Sequence, residues 1–429
     1  MKRWVCIVFF FGMTLSFQCV QAQLPGPVTL SEAFKAALQR TETGKIENAR
    51  VQQVEERYRQ AKGGILPKVA LNWSYLRQDV PPSTSDQSRV LASSLAQDQV
   101  NSRLTLTQPV FQGFREFAAL GIGRANLEAA ERNRDNAILT LFQTVATAHY
   151  NVLANEKDLS NINDLIKVAE DRIRELKNFT GIGRSRRSDL LSSQAQLASL
   201  RAQAAAAETA RIQAREQFAF VTGLSSDTEL VDDSNQLPMN PPSLDSLLSQ
   251  VESRADIKTL MAQKTSAEES VKYAKGGYWP NLSLTGNYYI NRTGFLQDSK
   301  WDVGLNLTFP LYEGGTTSSQ VSEANAALME SSLLLDQGRR LATQQIRSAY
   351  KAILNGVDQI RLLKESLTLA QQAYDLQARD FRRGASTNLE VLEALNSLED
   401  TRRTLDKTYF QTRLTFITLD VALGKAPSH

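Results

Sequence analysis

The chain has 429 residues, with 49 basic and 46 acidic side chains, a formal net charge of +3 and 7% aromatic residues. Charge this evenly balanced carries no electrostatic signature of nucleic-acid binding. With two histidines and two cysteines in the whole sequence, a histidine-based hydrolytic triad, a histidine metal centre or a thiolate cluster has almost nothing to be built from.

Residues 1–22 read as a secretory signal. Lys2 and Arg3 precede an apolar run over 4–15, and Val20-Gln21-Ala22 offers a small-residue exit, so cleavage is expected before Gln23. A lipid anchor on Cys19 fits less well, because Ser16-Phe17-Gln18 places bulky residues where lipid attachment wants small ones. Cys6 and Cys19 both lie in the removed segment, which would leave the mature protein free of cysteine. Loss of Lys2 and Arg3 leaves 47 basic against 46 acidic side chains, a net charge of +1. His429 is the last residue, and His149 falls within a long helical pattern, where it reads as an ordinary helix-flank side chain. Beyond the signal no apolar run reaches the roughly 18 residues that a membrane helix needs.

The remainder is duplicated. Ala61-Lys62-Gly63-Gly64-Ile65-Leu66-Pro67 returns as Ala274-Lys275-Gly276-Gly277-Tyr278-Trp279-Pro280. Pro109-Val110-Phe111-Gln112-Gly113 returns 201 positions on (310 − 109) as Pro310-Leu311-Tyr312-Glu313-Gly314, and Gly183 with Gly384 and Gly223 with Gly424 keep that offset. Loops rarely hold such a register over so long a stretch, whereas packed helices do. Residues 23–224 form the first repeat and 243–429 the second, with the Ser-, Asp- and Pro-rich segment 225–242 crossing between them.

Each repeat is expected to open with a helix, 29–62 in the first and 243–275 in the second. A strand pair follows, over 67–111 and 280–311. Val69, Leu71, Trp73 and Tyr75 alternate with Ala70, Asn72 and Ser74, and Leu282, Leu284, Gly286, Tyr288 and Ile290 alternate with Ser283, Thr285 and Asn287. The run from Trp301 through Val303, Leu305, Leu307 and Phe309 to Leu311, against Asp302, Gly304, Asn306 and Thr308, is the cleanest. Each run has about ten residues, the length that crosses a bilayer as a tilted strand. Trp73, Trp279 and Trp301, with Tyr288, stand where an aromatic girdle at the membrane interface would put them. An antiparallel sheet on a soluble core would alternate in the same way. The hairpin tips fall in 81–99 and 291–299. Four strands cannot close a barrel, since membrane barrels start at about eight, so several copies must assemble. Three chains, giving about twelve strands, suit a water-filled lumen better than two.

Two tracts, 110–237 and 311–426, contain no proline and are free to be helix. In the first, Ile138, Val145, Val152, Leu159, Ile166 and Ile173 recur every seven residues, with a second row beginning at Leu141; moving on by 201, Ile346, Ile353, Ile360 and Leu367 repeat the seam. Gly181, Gly183 and Gly384 break the tracts at tips near 181–189 and 382–393, giving long helices over about 115–180 and 316–381 and return helices over 185–222 and 386–423. At 1.5 Å per residue the long helices reach about 100 Å, and a return helix of about 55 Å with an opening helix of about 50 Å placed end to end matches that length. Helices of equal height can wall a hollow cylinder.

Taken in order, these motifs resemble the TolC family of outer-membrane efflux proteins. The resemblance covers about residues 28–425 and rests on the repeated Gly-Gly-x-x-Pro, the two strand-to-helix turns ending at Gly113 and Gly314, and the tips at Gly183 and Gly384. It implies a mainly α fold with a membrane β-barrel part: a homotrimer, in which a twelve-stranded outer-membrane barrel continues as a periplasmic helical tunnel. It also implies docking to a periplasmic adaptor and an inner-membrane transporter, no cofactor and no catalysis. In the family, acidic residues six and nine positions after the second-repeat glycine ring the narrow end of the tunnel; here these are Glu390 and Glu393. Six carboxylates around one axis would repel, raise some of their pKa values and attract a divalent cation. Asp189 matches the acidic member of the family's closing network. The tyrosine and arginine expected three before and two after Gly384 are Phe381 and Ser386, so any latch must differ. Arg184, Arg186, Arg187, Arg382 and Arg383 crowd the tips, where they could meet Asp189 or an adaptor. The reading from another class is a soluble, secreted coiled-coil scaffold, which would explain the heptads and the duplication but not the paired amphipathic strands.

Overall fold

The computed structural model describes residues 26–79, 97–232, 242–293, 296 and 298–425. The signal segment, most of the first hairpin tip, parts of the second and the centre of the inter-repeat crossing lie outside the described residues.

Helix α1 (Leu30–Arg40) starts at a reciprocal cap, in which the Thr29 hydroxyl accepts from the Glu32 N–H and the Thr29 N–H donates to the Glu32 carboxylate at 2.8 Å. Helix α2 (Glu42–Gly63) leads into strands β1 (Lys68–Arg77) and β2 (Asp98–Gln112). Helix α3 (Arg115–Gly181) then runs 67 residues without a break, about 100 Å, and α4 (Arg187–Thr222) returns along it. The second repeat follows the same plan with α5 (Leu244–Leu248), α6 (Ala255–Lys275), β3 (Asn281–Asn291), β4 (Trp301–Thr308), α7 (Thr316–Arg383) and α8 (Asn388–Ala422).

The opening helices expected over 29–62 and 243–275 are each broken in two. The breaks pivot on Thr41 and Arg254, both extended, with ψ of 160° and 143°. They stand 213 positions apart, the offset of the Ala-Lys-Gly-Gly motif (274 − 61). At both places the end of a return helix arrives. Gly223, at φ 67°, lies so close to α1 that a Cβ would stand 2.9 Å from Arg40 Cβ, and Arg40 Nη1 donates to its carbonyl at 3.3 Å. Arg254 Nη1 donates to the Ala422 carbonyl at 2.8 Å, while its other nitrogens hold the Asp256 carboxylate and Gln345 Oε1. The opening helix turns aside where the return helix ends.

The core gathers at these joints. Phe34, Val145, Val152 and Phe218 belong to one buried cluster; Leu247, Ile346, Ile353 and Leu419, their images at offsets of 213 or 201, belong to another. A third cluster, nearer the tip, joins Leu165 and Ala169 of α3 to Leu200 of α4 and Leu395 of α8. His149, read as a flank residue, is instead fully buried, edge-on to Tyr150 and close to Phe218.

The four strands form one antiparallel sheet in the order β1-β2-β3-β4. The register puts Val69 beside Leu106, Leu71 beside Leu104, Leu284 beside Leu305 and Tyr288 beside Trp301, so one face is mainly apolar, interrupted in β2 by Ser102 beside Trp73 and Gln108 beside Leu284. On the other face a side-chain ladder crosses all four strands. Asn72 Nδ2 donates to Thr105 Oγ1 at 2.9 Å, Thr105 Oγ1 donates to Asn287 Oδ1 at 2.9 Å, and Asn287 Nδ2 donates to Asp302 Oδ1 at 2.8 Å. β4 stops at Thr308, so Phe309 and Leu311 fall beyond the strand expected to reach 311; Pro310 has no N–H with which to continue the ladder. Its image Pro109 stays inside β2, where a register shift between Pro109 and Phe111 absorbs it.

Glycine is required where the two repeats touch below the sheet. A Cβ on Gly113, at φ 68°, would stand 2.3 Å from the Gly276 carbonyl, and one on Gly276 would stand 2.7 Å from the Gly113 carbonyl.

Replacing Arg254 by alanine would strip the end of α8 and the joint of four hydrogen bonds at a buried site. It is expected to lower stability by about 3 kcal/mol, read from thermal unfolding followed by circular dichroism, with Arg254→Lys intermediate.

Candidate functional site

The two helix turns at the far end of the rods are built alike. After α3, Gly183 adopts φ 75° and the Arg184 N–H reaches back to the Phe179 carbonyl at 2.8 Å; after α7, Gly384 adopts φ 78° and the Ala385 N–H reaches the Asp380 carbonyl at 2.8 Å. Gly181 is the last residue of α3 and not the left-handed one. Asp189 and Glu390, which are 201 apart, do the same work at the start of the return helices. The Asp189 carboxylate accepts the Arg186 N–H and the Ser185 hydroxyl, both at 3.2 Å, and the Glu390 carboxylate accepts the Thr387 N–H at 2.9 Å. Asp189 therefore acts as a helix cap, and its carboxylate joins no cross-helix bond among the described residues.

Arg172 of α3 occupies the centre of the tip, with its side chain only 6% exposed. Its guanidinium lies 3.8 Å over the Phe381 ring of α7. Nε and Nη2 donate to Asn388 Oδ1 of α8 at 3.3 and 3.1 Å, and Nη1 donates to Glu175 at 2.7 Å. Asn388 Nδ2 passes the link to α4, donating to the Asp189 carbonyl at 3.2 Å and to Ser193 Oγ at 3.1 Å. One cation thus ties all four helices together. Burial pulls the Arg172 pKa below the usual guanidinium value and Glu175 opposes the shift; a guanidinium remains charged in such a setting.

The other expected tip residues surround this centre. Phe381 also packs against Phe179, with ring centroids 6.1 Å apart, and Arg184 stacks on Phe179 while donating to the Arg382 carbonyl at 3.1 Å. Ser386 donates to the Gln377 carbonyl at 3.1 Å. Glu390 and Glu393 are exposed on the face of α8 opposite buried Val391 and Leu395. Arg186, Arg187, Arg382 and Arg383 are exposed as well. Sequence reasoning missed Arg172 and Asn388. The signal was there: Arg172 sits between the seam residues Ala169 and Ile173, and its image at 373 is alanine, so one repeat holds a buried charge that the other lacks.

Farther from the tip, the face shared by α3 and α8 is polar. Asp158 accepts from Arg403 at 2.6 and 3.0 Å, and Asn161 donates to Asp406 at 2.7 Å. A groove of about 600 Å³ follows this contact, lined by Asn151, Asn155, Asp158, Arg403, Asp406 and Lys407 among others. Glu399 is buried beside it and makes no hydrogen bond through Oε1 among the described residues. Burial raises its pKa above the ordinary carboxylate value, with Arg403 opposing. Asp232, at the end of the described crossing, accepts from Arg413 at 3.0 Å and from Tyr409 at 3.2 Å.

At the sheet, Tyr288 and Trp301 pair toward the hairpin tips, and Trp73, 67% exposed, stands on the same apolar face. Trp279 lies at the helix end of β3, edge-on to Phe114. Nine residues separate Trp279 from Tyr288, about 30 Å along a strand. Among the described residues no group of three His, Cys, Asp or Glu side chains could hold a metal ion, and no helix is long and apolar enough to cross a membrane.

A protein-family model described as outer membrane efflux protein matches residues 29–224 and 247–425. Outer membrane protein TolC of Escherichia coli is 24% identical over 390 residues, covering 86% of this chain and 76% of that protein. The proteases secretion protein PrtF of Dickeya chrysanthemi is 24% identical over 392 residues, covering 85% of this chain and 81% of that protein. The crystal structure of the outer membrane protein VceC from Vibrio cholerae superimposes with a TM-score of 0.82 at 20% identity, over 93% of this chain and 97% of that one.

Glu399 gives the site a pH dependence. A carboxyl whose pKa is raised by folding holds its proton more tightly in the folded chain, so its contribution to stability is complete below the unfolded value and is lost as the pH rises through the folded one. Glu399→Gln keeps the group neutral throughout. The variant is expected to be more stable than wild type near pH 7 by on the order of 1 kcal/mol, with the difference closing in acid, measured as melting temperature against pH.

Proposed function

Because the chain belongs to the outer membrane efflux protein family, the outer-membrane factors of efflux and secretion systems, we propose that it is the exit duct of a tripartite system, receiving substrate from a periplasmic adaptor and an inner-membrane pump. The observation that carries this reading is the sheet. One face is apolar and exposed in the single chain, with Val69, Leu71, Trp73, Leu305 and Leu307 each more than 60% accessible, while the other bears the Asn72-Thr105-Asn287-Asp302 ladder. Lipid on one side and water on the other is the arrangement such a sheet fits. Three copies would close twelve strands, with the helices continuing the lumen away from the membrane. Tilted by about 40°, the strand length between the levels of Trp279 and of Tyr288 with Trp301 spans about 23 Å, close to the height of a barrel's apolar band. Those residues and Trp73 form its girdles.

The tip is the gate. Around the threefold axis Glu390 and Glu393 supply six carboxylates, which select cations and attract a divalent ion. Arg172 takes the part that the family's tyrosine and arginine would play, pinning α7 and α8 to α3 and α4 through Phe381 and Asn388. An adaptor meeting the arginines of the tips, Arg184, Arg186, Arg187, Arg382 and Arg383, would compete with these contacts and draw the turns at Gly183 and Gly384 outward. Nothing in the wall is asked to perform chemistry; the pump selects the substrate.

In planar bilayers the purified protein is expected to give small, cation-selective steps. Glu390→Gln/Glu393→Gln should abolish the selectivity, and Arg172→Ala should raise the conductance several-fold while costing about 3 kcal/mol of stability. Selectivity unchanged in the first variant would remove the acidic ring from the account; conductance unchanged in the second would remove Arg172 from the gate.

A further inference from the structure

The foot of the sheet carries side chains that the fold does not require. Phe114, at φ 64°, is the one non-glycine residue in the left-handed region among the described residues. A bulky side chain there costs free energy that glycine would avoid, and Gly315, its image 201 positions on, takes the same conformation at φ 86°. Phe114 gains little burial in return. It is 56% exposed and meets Phe111 and Trp279 edge-on, with ring centroids 5.0 and 6.1 Å away, and Trp279 is itself 53% exposed. Phe111 stands beside Leu282 in the register of the apolar face, so these rings continue that face past the ends of the strands.

Two cations stand at the same foot. The Arg115 guanidinium lies 5.1 Å over the Tyr273 ring and its Nε donates to the Tyr273 carbonyl at 3.3 Å, which holds it at the end of α6 against Gly276 and Gly277. Lys275, the last residue of α6, is exposed. Neither forms an ion pair among the described residues. Nearby acids do not offset them: Glu269 is taken by Lys272 at 2.6 Å, and Glu116 buries one carboxylate oxygen. The image of this foot, divided between the two edges of the sheet, has the backbone without the chemistry. Offsets of 201 and 213 carry Phe114, Arg115, Tyr273 and Trp279 onto Gly315, Thr316, Gln60 and Leu66, and only Lys275 keeps its type, as Lys62.

We propose that this foot is a binding site for an anionic phospholipid of the inner leaflet, with Arg115 and Lys275 on the headgroup phosphate and the Phe114 and Trp279 rings against the glycerol and the upper acyl chain. The site rests on the membrane placement of the sheet given above and lies within one chain. A guanidinium presents two parallel donors to a phosphate and an ammonium a point charge, while amphipathic rings favour the headgroup level. The strained backbone at 114 then has a purpose, since it holds an aromatic ring at the surface next to Arg115.

Native mass spectrometry of the detergent-purified protein, delipidated and then offered equal amounts of phosphatidylglycerol and phosphatidylcholine, tests the site. Wild type is expected to retain the anionic lipid about tenfold over the zwitterionic one. Arg115→Gln/Lys275→Gln should bring the ratio close to one, whereas Arg347→Gln/Lys351→Gln, which removes two exposed cations from the middle of α7, should leave it unchanged. Phe114→Gly separates strain from binding: it should melt no lower than wild type in detergent, yet retain about threefold less phosphatidylglycerol. Equal retention of the two lipids by wild type, a ratio that survives Arg115→Gln/Lys275→Gln, or the same loss in both double variants overturns the site and leaves the duct standing. A protein that binds neither lipid and stays in solution without detergent overturns the site and the membrane placement together.

Discussion

Hydrocarbon offers no hydrogen-bond partner to a peptide group, so a sheet placed in a membrane cannot leave an edge open. Here β1 and β4 are both edges among the described residues, and the face between them is mainly apolar. A single chain cannot satisfy this sheet. The same deficit recurs along the rods, where α7 carries exposed leucines at heptad spacing and α4 an exposed row of alanines. In the proposed assembly, barrel and tunnel would answer one requirement, that each open surface be covered by another copy of the chain.

Duplication is how a chain of moderate length meets it. Two repeats in one register give the α3–α8 joint inside the chain an image on the exposed faces of α7 and α4, where Asp158–Arg403 and Asn161–Asp406 become Gln359–Ala202 and Leu362–Ala205. The repeats have diverged where their tasks differ. Arg172 faces Asn388 across the inner joint, whereas alanine stands at 373 and arginine at 187. A buried cation satisfied by hydrogen bonds and an aromatic face is costly to strand, yet it can exchange partners. That would suit the gate proposed for the tip, which would have to hold at rest and give way when engaged. Asp189 and Glu390 show the opposite pattern, having kept one capping role in both repeats while only the second stands in an acidic pair at the tip.

The long helices, the four strands and the tip glycines were legible because each has a local signature: heptad spacing, strict alternation, and a left-handed turn at Gly183 and at Gly384. The breaks at Thr41 and Arg254 were not, since nothing in either helix marks them and their cause is the arrival of a return helix far away in sequence. Arg172 and Asn388 escaped for the same reason, as a buried polar pair is visible only once two helices are set side by side. The apolar face of the strands could also have belonged to a soluble sheet; that face has no core to cover it, because the buried clusters lie along the rods and not beneath the strands.

The mass of the assembly extracted from outer membranes, corrected for bound detergent, tests the central claim most directly. The account predicts three mature chains, stable only while detergent or lipid covers the apolar band. A monomer that stays folded in water without detergent would contradict it, because the sheet would then have found a way to stand with its edges and its apolar face uncovered.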